Sequence, residues 1–122
     1  MNKHVLLVED EPNIIEAVSF LLSREGWSVS THSNGHDAAD VIRAKQPDVL
    51  VLDVMLPGRS GFDILEDIRS EGACKDVPVL MLTARGQTKD RERAERLGAT
   101  RFMTKPFSNA EIIETLHELS GP

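Results

Sequence analysis

The run Asp48-Val49-Leu50-Val51-Leu52-Asp53 places four consecutive apolar β-formers before an aspartate, then gives way to Val54-Met55-Leu56-Pro57-Gly58. A run so uniformly apolar reads as a strand buried on both faces, the signature of a parallel sheet covered by helices. Its last residue, Asp53, then stands at the carboxyl edge of the sheet, where open α/β sheets bind ligands. Three further runs end in the same manner. Val5-Leu6-Leu7-Val8 leads into Glu9-Asp10, Val77-Pro78-Val79-Leu80-Met81-Leu82 into Thr83, and Phe102-Met103-Thr104 into Lys105. Strand ends at one edge of one sheet are neighbours in space. The sequence therefore predicts that Glu9, Asp10, Asp53, Thr83 and Lys105 surround a single small site.

The segments between these runs read as helices. Pro12 opens the first, at an early position where its missing N–H costs nothing, and Ile14, Ile15, Val18, Leu21 and Leu22 form its apolar face before Gly26. Trp27 to His32 reads as a short strand with Trp27 packing at its edge, and Asn34-Gly35 as a turn. Ala38, Ala39, Val41 and Ile42 mark a second helix, ended before Pro47, and Phe62, Leu65 and Ile68 a third, ended before Gly72. The fourth, Gln87 to Leu97, offers only Ala94 and Leu97 as apolar anchors; Lys89, Arg91, Arg93 and Arg96 alternate there with acids and read as a solvated face. Ser108 and Glu111 form a capping box for the last helix, whose buried face is Ile112, Ile113, Leu116 and Leu119. Five strands alternating with five helices predict an α/β doubly wound parallel sheet over residues 1–122 as one domain.

Composition narrows the function classes. A net charge of −6 argues against the domain itself gripping a nucleic-acid backbone. No apolar run approaches the roughly 20 residues of a membrane span, and Met1-Asn2-Lys3-His4 does not resemble a signal peptide, so a cytoplasmic location is the expectation. Cys74 is the only cysteine, which excludes an internal disulfide, and His4, His32, His36 and His117 show no metal-ligand spacing.

The predicted site has three carboxylates against one ammonium. Either the carboxyl pKa values rise or a dication binds, and an all-oxygen donor set favours Mg²⁺ or Mn²⁺ over zinc. Such a metal, a lysine and a carboxylate suit phosphoryl transfer, with Asp53 attacking in line as nucleophile.

Four segments carry a resemblance that covers essentially the whole chain. Leu7-Val8-Glu9-Asp10-Glu11-Pro12, Val51 to Gly58, Leu82-Thr83-Ala84 and Thr104-Lys105-Pro106-Phe107 resemble, in order and separation, the motifs of receiver domains of two-component response regulators. The resemblance implies the flavodoxin-like strand order 2-1-3-4-5. It implies that Asp53 accepts a phosphoryl group from a phosphohistidine on a sensor histidine kinase or histidine phosphotransfer protein. It further implies that Asp10, Asp53 and the Met55 carbonyl hold Mg²⁺, with Glu9 acting through water, a role in which aspartate is the commoner residue. By the same resemblance Lys105 pairs with a phosphoryl oxygen and is followed by a cis peptide bond to Pro106, and Thr83 with the Ala84 N–H grips the phosphoryl group. Phe102 matches a switch aromatic, and Met55 and Arg85 the positions that tune phosphoryl loss. Phosphorylation would then change a surface formed by helix 4, strand 5 and helix 5, read by a downstream effector domain or protein or used for homodimerisation. The implied role is a signalling switch that catalyses its own phosphorylation and dephosphorylation, not a metabolic enzyme.

Two other readings compete with it. A non-catalytic binding module of the same fold would signal through protein contacts alone; the intact set of Glu9, Asp10, Asp53, Thr83 and Lys105 argues against it. A flavodoxin-like or phosphohydrolase enzyme would need a phosphate loop after the first strand, or a second aspartate where Met55 stands.

Overall fold

Each strongly apolar run extends into a strand, and each strand is followed by a helix with one apolar face. In the computed structural model, which describes residues 3–70, 72, 74–84 and 88–121, the order is β1 (His4–Val8), α1 (Pro12–Arg24), β2 (Ser28–His32), α2 (Ala38–Lys45), β3 (Val49–Asp53), α3 (Gly61–Ser70), β4 (Val79–Thr83), α4 (Thr88–Leu97), β5 (Arg101–Thr104) and α5 (Asn109–Ser120). The five strands form one parallel sheet in the order β2-β1-β3-β4-β5, as the resemblance implied. Register brings the strand ends level. Val8 pairs with Leu52, Asp53 with Leu82, and Thr83 with Thr104.

Alternating side chains send each central strand into two cores. Leu6, Val8, Leu50, Leu52, Val79 and Met81 face α2, α3 and α4, meeting Ile42, Leu65, Ile68 and Ala94. Val5, Leu7, Val49, Val51, Leu80 and Leu82 face α1 and α5, meeting Val18, Leu22, Ile112 and Leu116. A fully buried aliphatic side chain contributes about 1.5–3 kcal/mol. The apolar residues of β3 and β4 are all completely buried, so these two strands are the rigid platform on which Asp53 and Thr83 are carried. Among the described residues no helix is long and apolar enough to cross a membrane.

Local details follow the sequence closely, with a few displaced boundaries. β4 starts at Val79 and not at Val77, because Pro78 has no N–H for the ladder and Val77 N–H donates to the Cys74 carbonyl in a turn. α4 is described from Thr88; Gln87 and Arg85, with its expected tuning role, lie outside the described residues. The Ser108–Glu111 capping box is present in both directions, at 3.1 and 3.0 Å. Trp27 is buried just before β2, with the His117 ring edge-on to it and the ring centres 6.1 Å apart.

α4 departs from a purely solvated helix. Ala94 is its one fully buried residue among those described, but the Arg93 guanidinium lies 4.4 Å from the centre of the Phe62 ring and that of Arg91 5.2 Å from the Phe102 ring. Two of its cations thus serve as anchors to α3 and β5, each over the negative face of an aromatic ring.

Candidate functional site

Glu9, Asp53, Thr83 and Lys105 arrive from four adjacent strand ends. Glu9 follows β1 and donates its N–H to the His32 carbonyl at 3.0 Å, which continues the β1–β2 ladder by one bond and fixes the direction of its side chain. Asp53 closes β3, and the Met55 N–H donates to its Oδ1 at 3.3 Å. Thr83 closes β4, and its carbonyl accepts from the Lys105 N–H at 2.7 Å, tying the end of β5 to the end of β4. The Lys105–Pro106 peptide is cis, as expected.

The groups converge. Lys105 Nζ donates to both Glu9 oxygens, at 3.0 and 3.2 Å, and stands 3.3 Å from Asp53 Oδ1 and 3.7 Å from Glu11 Oε1. Glu9 is fully buried, Asp53 and Thr83 almost so, while Asp10 is exposed. One oxygen from each of Glu9, Asp10 and Asp53 lies within 4.8 Å of the others.

The charge imbalance predicted from the sequence is visible in the titration of these groups. Burial pushes the Glu9 carboxyl up to about 7, with the Lys105 hydrogen bond opposing and the Asp53 charge adding to the rise. Burial also raises Asp53, against the nearby Lys105 charge. Burial alone would lower Lys105, but its hydrogen bond to Glu9 and the charges of Asp53 and Glu9 raise it. A site in which ionised carboxylates are disfavoured is one where added positive charge is welcome. An oxygen-only donor set of this charge fits a hard dication such as Mg²⁺ or Mn²⁺.

Two features escaped the sequence reading. Gly61 packs against the Asp53 main chain so closely that a Cβ there would overlap the Asp53 carbonyl oxygen, and its N–H donates to the Val54 carbonyl at 2.8 Å. Gly35 is confined in the same way by the Arg59 carbonyl, and its N–H donates to the Pro57 carbonyl at 2.8 Å. Together these two glycines press the loop after β3 against the sheet end and hold Asp53 in place. The only sequence signal was a glycine at the first position of a helix, where no turn asks for one. Beside the site a cleft of about 420 Å³ opens between α1 and α5, lined among others by Ile14, Val18, Ala84, Lys105 and Phe107. Met55 is 72% exposed at the mouth of the site, and Phe102 is half-buried under Arg91.

The family model for the response regulator receiver domain matches residues 5–117, and so spans every group just described. The chain belongs to this receiver family. Over 115 residues the receiver is 44% identical to the probable transcriptional regulatory protein TcrX of Mycobacterium tuberculosis, covering 94% of this chain and 48% of that protein. The chain thus spans about half the length of this curated relative. The receiver domain of the sensor histidine kinase PA1611 of Pseudomonas aeruginosa, solved with a magnesium ion in its active-site cleft, superposes with a TM-score of 0.90 at 28% identity, over all of both chains. The chemotaxis protein CheY4 of Vibrio cholerae superposes with a TM-score of 0.90 at 29% identity, covering 98% of this chain and 99% of that one. This receiver is accordingly a component of two-component signal transduction.

Proposed function

We propose that this receiver is switched by phosphorylation of Asp53, with Mg²⁺ held by Asp10, Asp53 and the Met55 carbonyl and with Glu9 engaged through water. The supporting observation is the position of Asp53: nearly buried, level with the Glu9–Asp10 pair, and 3.3 Å from the one ammonium in the cluster. The donor is a phosphohistidine on a sensor histidine kinase or histidine phosphotransfer protein. An Asp53 carboxylate oxygen attacks phosphorus, the P–N bond to the imidazole breaks, and the imidazole leaves with the electron pair. Lys105 neutralises a phosphoryl oxygen, and Thr83 with the Ala84 N–H takes hold of the phosphorylated form. A bound dication supplies charge neutralisation at the phosphoryl oxygens and sets the acidic groups for attack and, later, for hydrolysis by water. The cleft beside Lys105, between α1 and α5, gives the donor an approach to the site.

The output follows from the weakest-docked element. Phosphorylation adds charge and acceptor oxygens at the head of β3, draws Thr83 inward and lets Phe102 follow. The surface of α4, β5 and α5 changes as a result, and it is there that an effector domain, an effector protein or a second copy of the chain binds. The half-length match to a transcriptional regulator supports an effector joined to this domain. The setting is the cytoplasm.

The test is intact mass after incubation with acetyl phosphate, with and without Mg²⁺, on wild type and Asp53→Asn. Gain of one phosphoryl group by wild type only with Mg²⁺, and none by the variant, is the expected result. Beryllofluoride, a stable mimic of the acyl phosphate, checks the case in which hydrolysis outruns accumulation. Failure to respond to either reagent overturns the reading and leaves a domain that signals through protein contacts alone.

A further inference from the structure

The turn that follows β3 carries the one ligand of the proposed cation site that is not a side chain, the Met55 carbonyl. A carboxylate can rotate toward a metal ion, but a carbonyl moves only with its own stretch of main chain, and Mg²⁺ asks for donors at about 2.0–2.1 Å in a near-octahedral array. The turn therefore has to be held from outside. Pro57 offers no N–H, and Gly58, at φ +88°, reverses the chain. The first hold is the Gly35 N–H, which donates to the Pro57 carbonyl at 2.8 Å. The second lies at the far end of the turn. Arg59 Nη1 donates to Asp67 Oδ2 at 2.9 Å and Nη2 to the Asp63 carbonyl at 3.4 Å, so a side chain of the turn is anchored on α3. The other Asp67 oxygen accepts from Arg43 of α2 at 2.8 Å, and Arg43 also donates to the Asp67 carbonyl at 2.9 Å. One carboxylate thus takes two guanidinium groups, one from the turn and one from a neighbouring helix.

We propose that Asp67, acting through Arg59, is a positioning residue for the cation site: the pair fixes the turn between β3 and α3 and with it the Met55 carbonyl. The inference rests on the phosphoacceptor reading above, which gives neither residue a role. No covalent step is involved. The sign of the effect separates positioning from a field effect. Arg59 is a cation on a turn that supplies a ligand to a dication, so on charge alone its removal tightens Mg²⁺ binding, whereas loss of positioning weakens it. Arg43 is the internal control, since it meets the same carboxylate from α2, outside the turn.

The experiment measures Mg²⁺ binding by calorimetry on wild type, Arg59→Ala, Asp67→Ala and Arg43→Ala, with far-ultraviolet circular dichroism to show that each is folded. The side chains of Arg59, Asp67 and Arg43 are 35%, 30% and 28% exposed, so these changes leave the core intact. Arg59→Ala and Asp67→Ala are each expected to weaken Mg²⁺ binding by roughly three- to tenfold, at the low end of what the outer partners of metal ligands are worth. The double variant is expected to lose no more than the larger single loss, because the two residues act as one unit. Arg43→Ala is expected to bind Mg²⁺ as wild type does. At saturating Mg²⁺ the rate of phosphorylation by acetyl phosphate should return to the wild-type value in Arg59→Ala, the loss being confined to the half-saturating Mg²⁺ concentration. In chelator, amide exchange at Gly35 and Gly61, whose N–H groups donate to the Pro57 and Val54 carbonyls, is expected to quicken in Arg59→Ala and not in Arg43→Ala, a readout that needs no cation. Mg²⁺ binding by Arg59→Ala as tight as wild type or tighter overturns the proposal, as does equal weakening by Arg43→Ala. If wild type takes up neither Mg²⁺ nor a phosphoryl group, the phosphoacceptor reading itself has failed and this inference falls with it.

Discussion

Replacing Asp53 by asparagine is expected to make the metal-free domain more stable while abolishing its switch. Lys105, 3.3 Å away, attracts the Asp53 carboxylate by about 5 kcal/mol at an effective dielectric of 20. Glu9, within 4.8 Å, repels it by at least about 3.5 kcal/mol on the same scale, and Asp10 adds a smaller repulsion screened by solvent. The two main charges nearly cancel, so the desolvation of a carboxylate that is almost fully buried decides the sign. Asparagine removes that desolvation and leaves Lys105 and Glu9 as a one-to-one pair, with a net gain on the order of 1–3 kcal/mol. For a domain of this size the midpoint of thermal unfolding should rise by roughly 3–10 °C. The assay is thermal and urea unfolding in chelator, followed by far-ultraviolet circular dichroism.

The pH dependence of that gain is fixed by Glu9. Its folded-state pKa is raised, to about 7, so the stability it contributes is fully present below its unfolded value near 4.5 and is lost as pH rises toward 7. The advantage of Asp53→Asn should therefore be small at pH 5 and largest above pH 7. Mg²⁺ should reverse the order, since ligand at about 100 times its dissociation constant stabilises wild type by about 2.7 kcal/mol and the variant lacks a donor. A variant less stable than wild type in chelator at pH 7.5 would refute the electrostatic account of the site.

Three further outcomes are expected. Gly61→Ala should cost about 1–3 kcal/mol and weaken Mg²⁺ binding as well, because the added methyl overlaps the Asp53 carbonyl; unfolding and calorimetry together check both. Asp67 accepts from Arg59 and Arg43 at 2.9 and 2.8 Å, and these hydrogen bonds hold its carboxyl below the ordinary range. Asp67→Asn should thus cost about 0.5–1 kcal/mol near neutral pH, discounted for exposure. With the folded pKa depressed, that contribution is present above the unfolded value near 4 and lost as pH falls below it, so the variant and wild type should converge in acid. Arg93→Ala should remove the cation over Phe62, cost about 0.5–1 kcal/mol, and raise amide exchange in α4 more than in α3 or α5.

The sequence disclosed the fold where burial is two-sided. The β1, β3 and β4 runs have no polar alternation, so their strand character and parallel pairing could be read from residues such as Leu50 to Leu52 without knowing their neighbours. The site was legible for the same reason: Asp53 and Thr83 each end a strand, Lys105 directly follows one, and strands in one register bring their ends together. What depended on distant partners was not legible. Arg91 and Arg93 read as solvated because nothing in their own segment shows that Phe102 and Phe62 lie beneath them. Glu9 read as one more acid beside a cation, since its grip on Lys105 spans 96 positions of sequence. Gly35 read as a turn residue and Gly61 as nothing in particular; that both are confined by neighbouring carbonyls shows only with those carbonyls in place.

The polar character of α4 also bears on how such a domain can diverge. With Ala94 fully buried and its two arginines resting on rings that accept a guanidinium from a range of angles, most of its outward positions are free of any part in the core. Substitutions there can redraw what the domain recognises while the sheet and the acidic cluster stay as they are. In a duplicated gene, a new partner could therefore be acquired, and cross-talk with the old one lost, without passing through a misfolded ancestor.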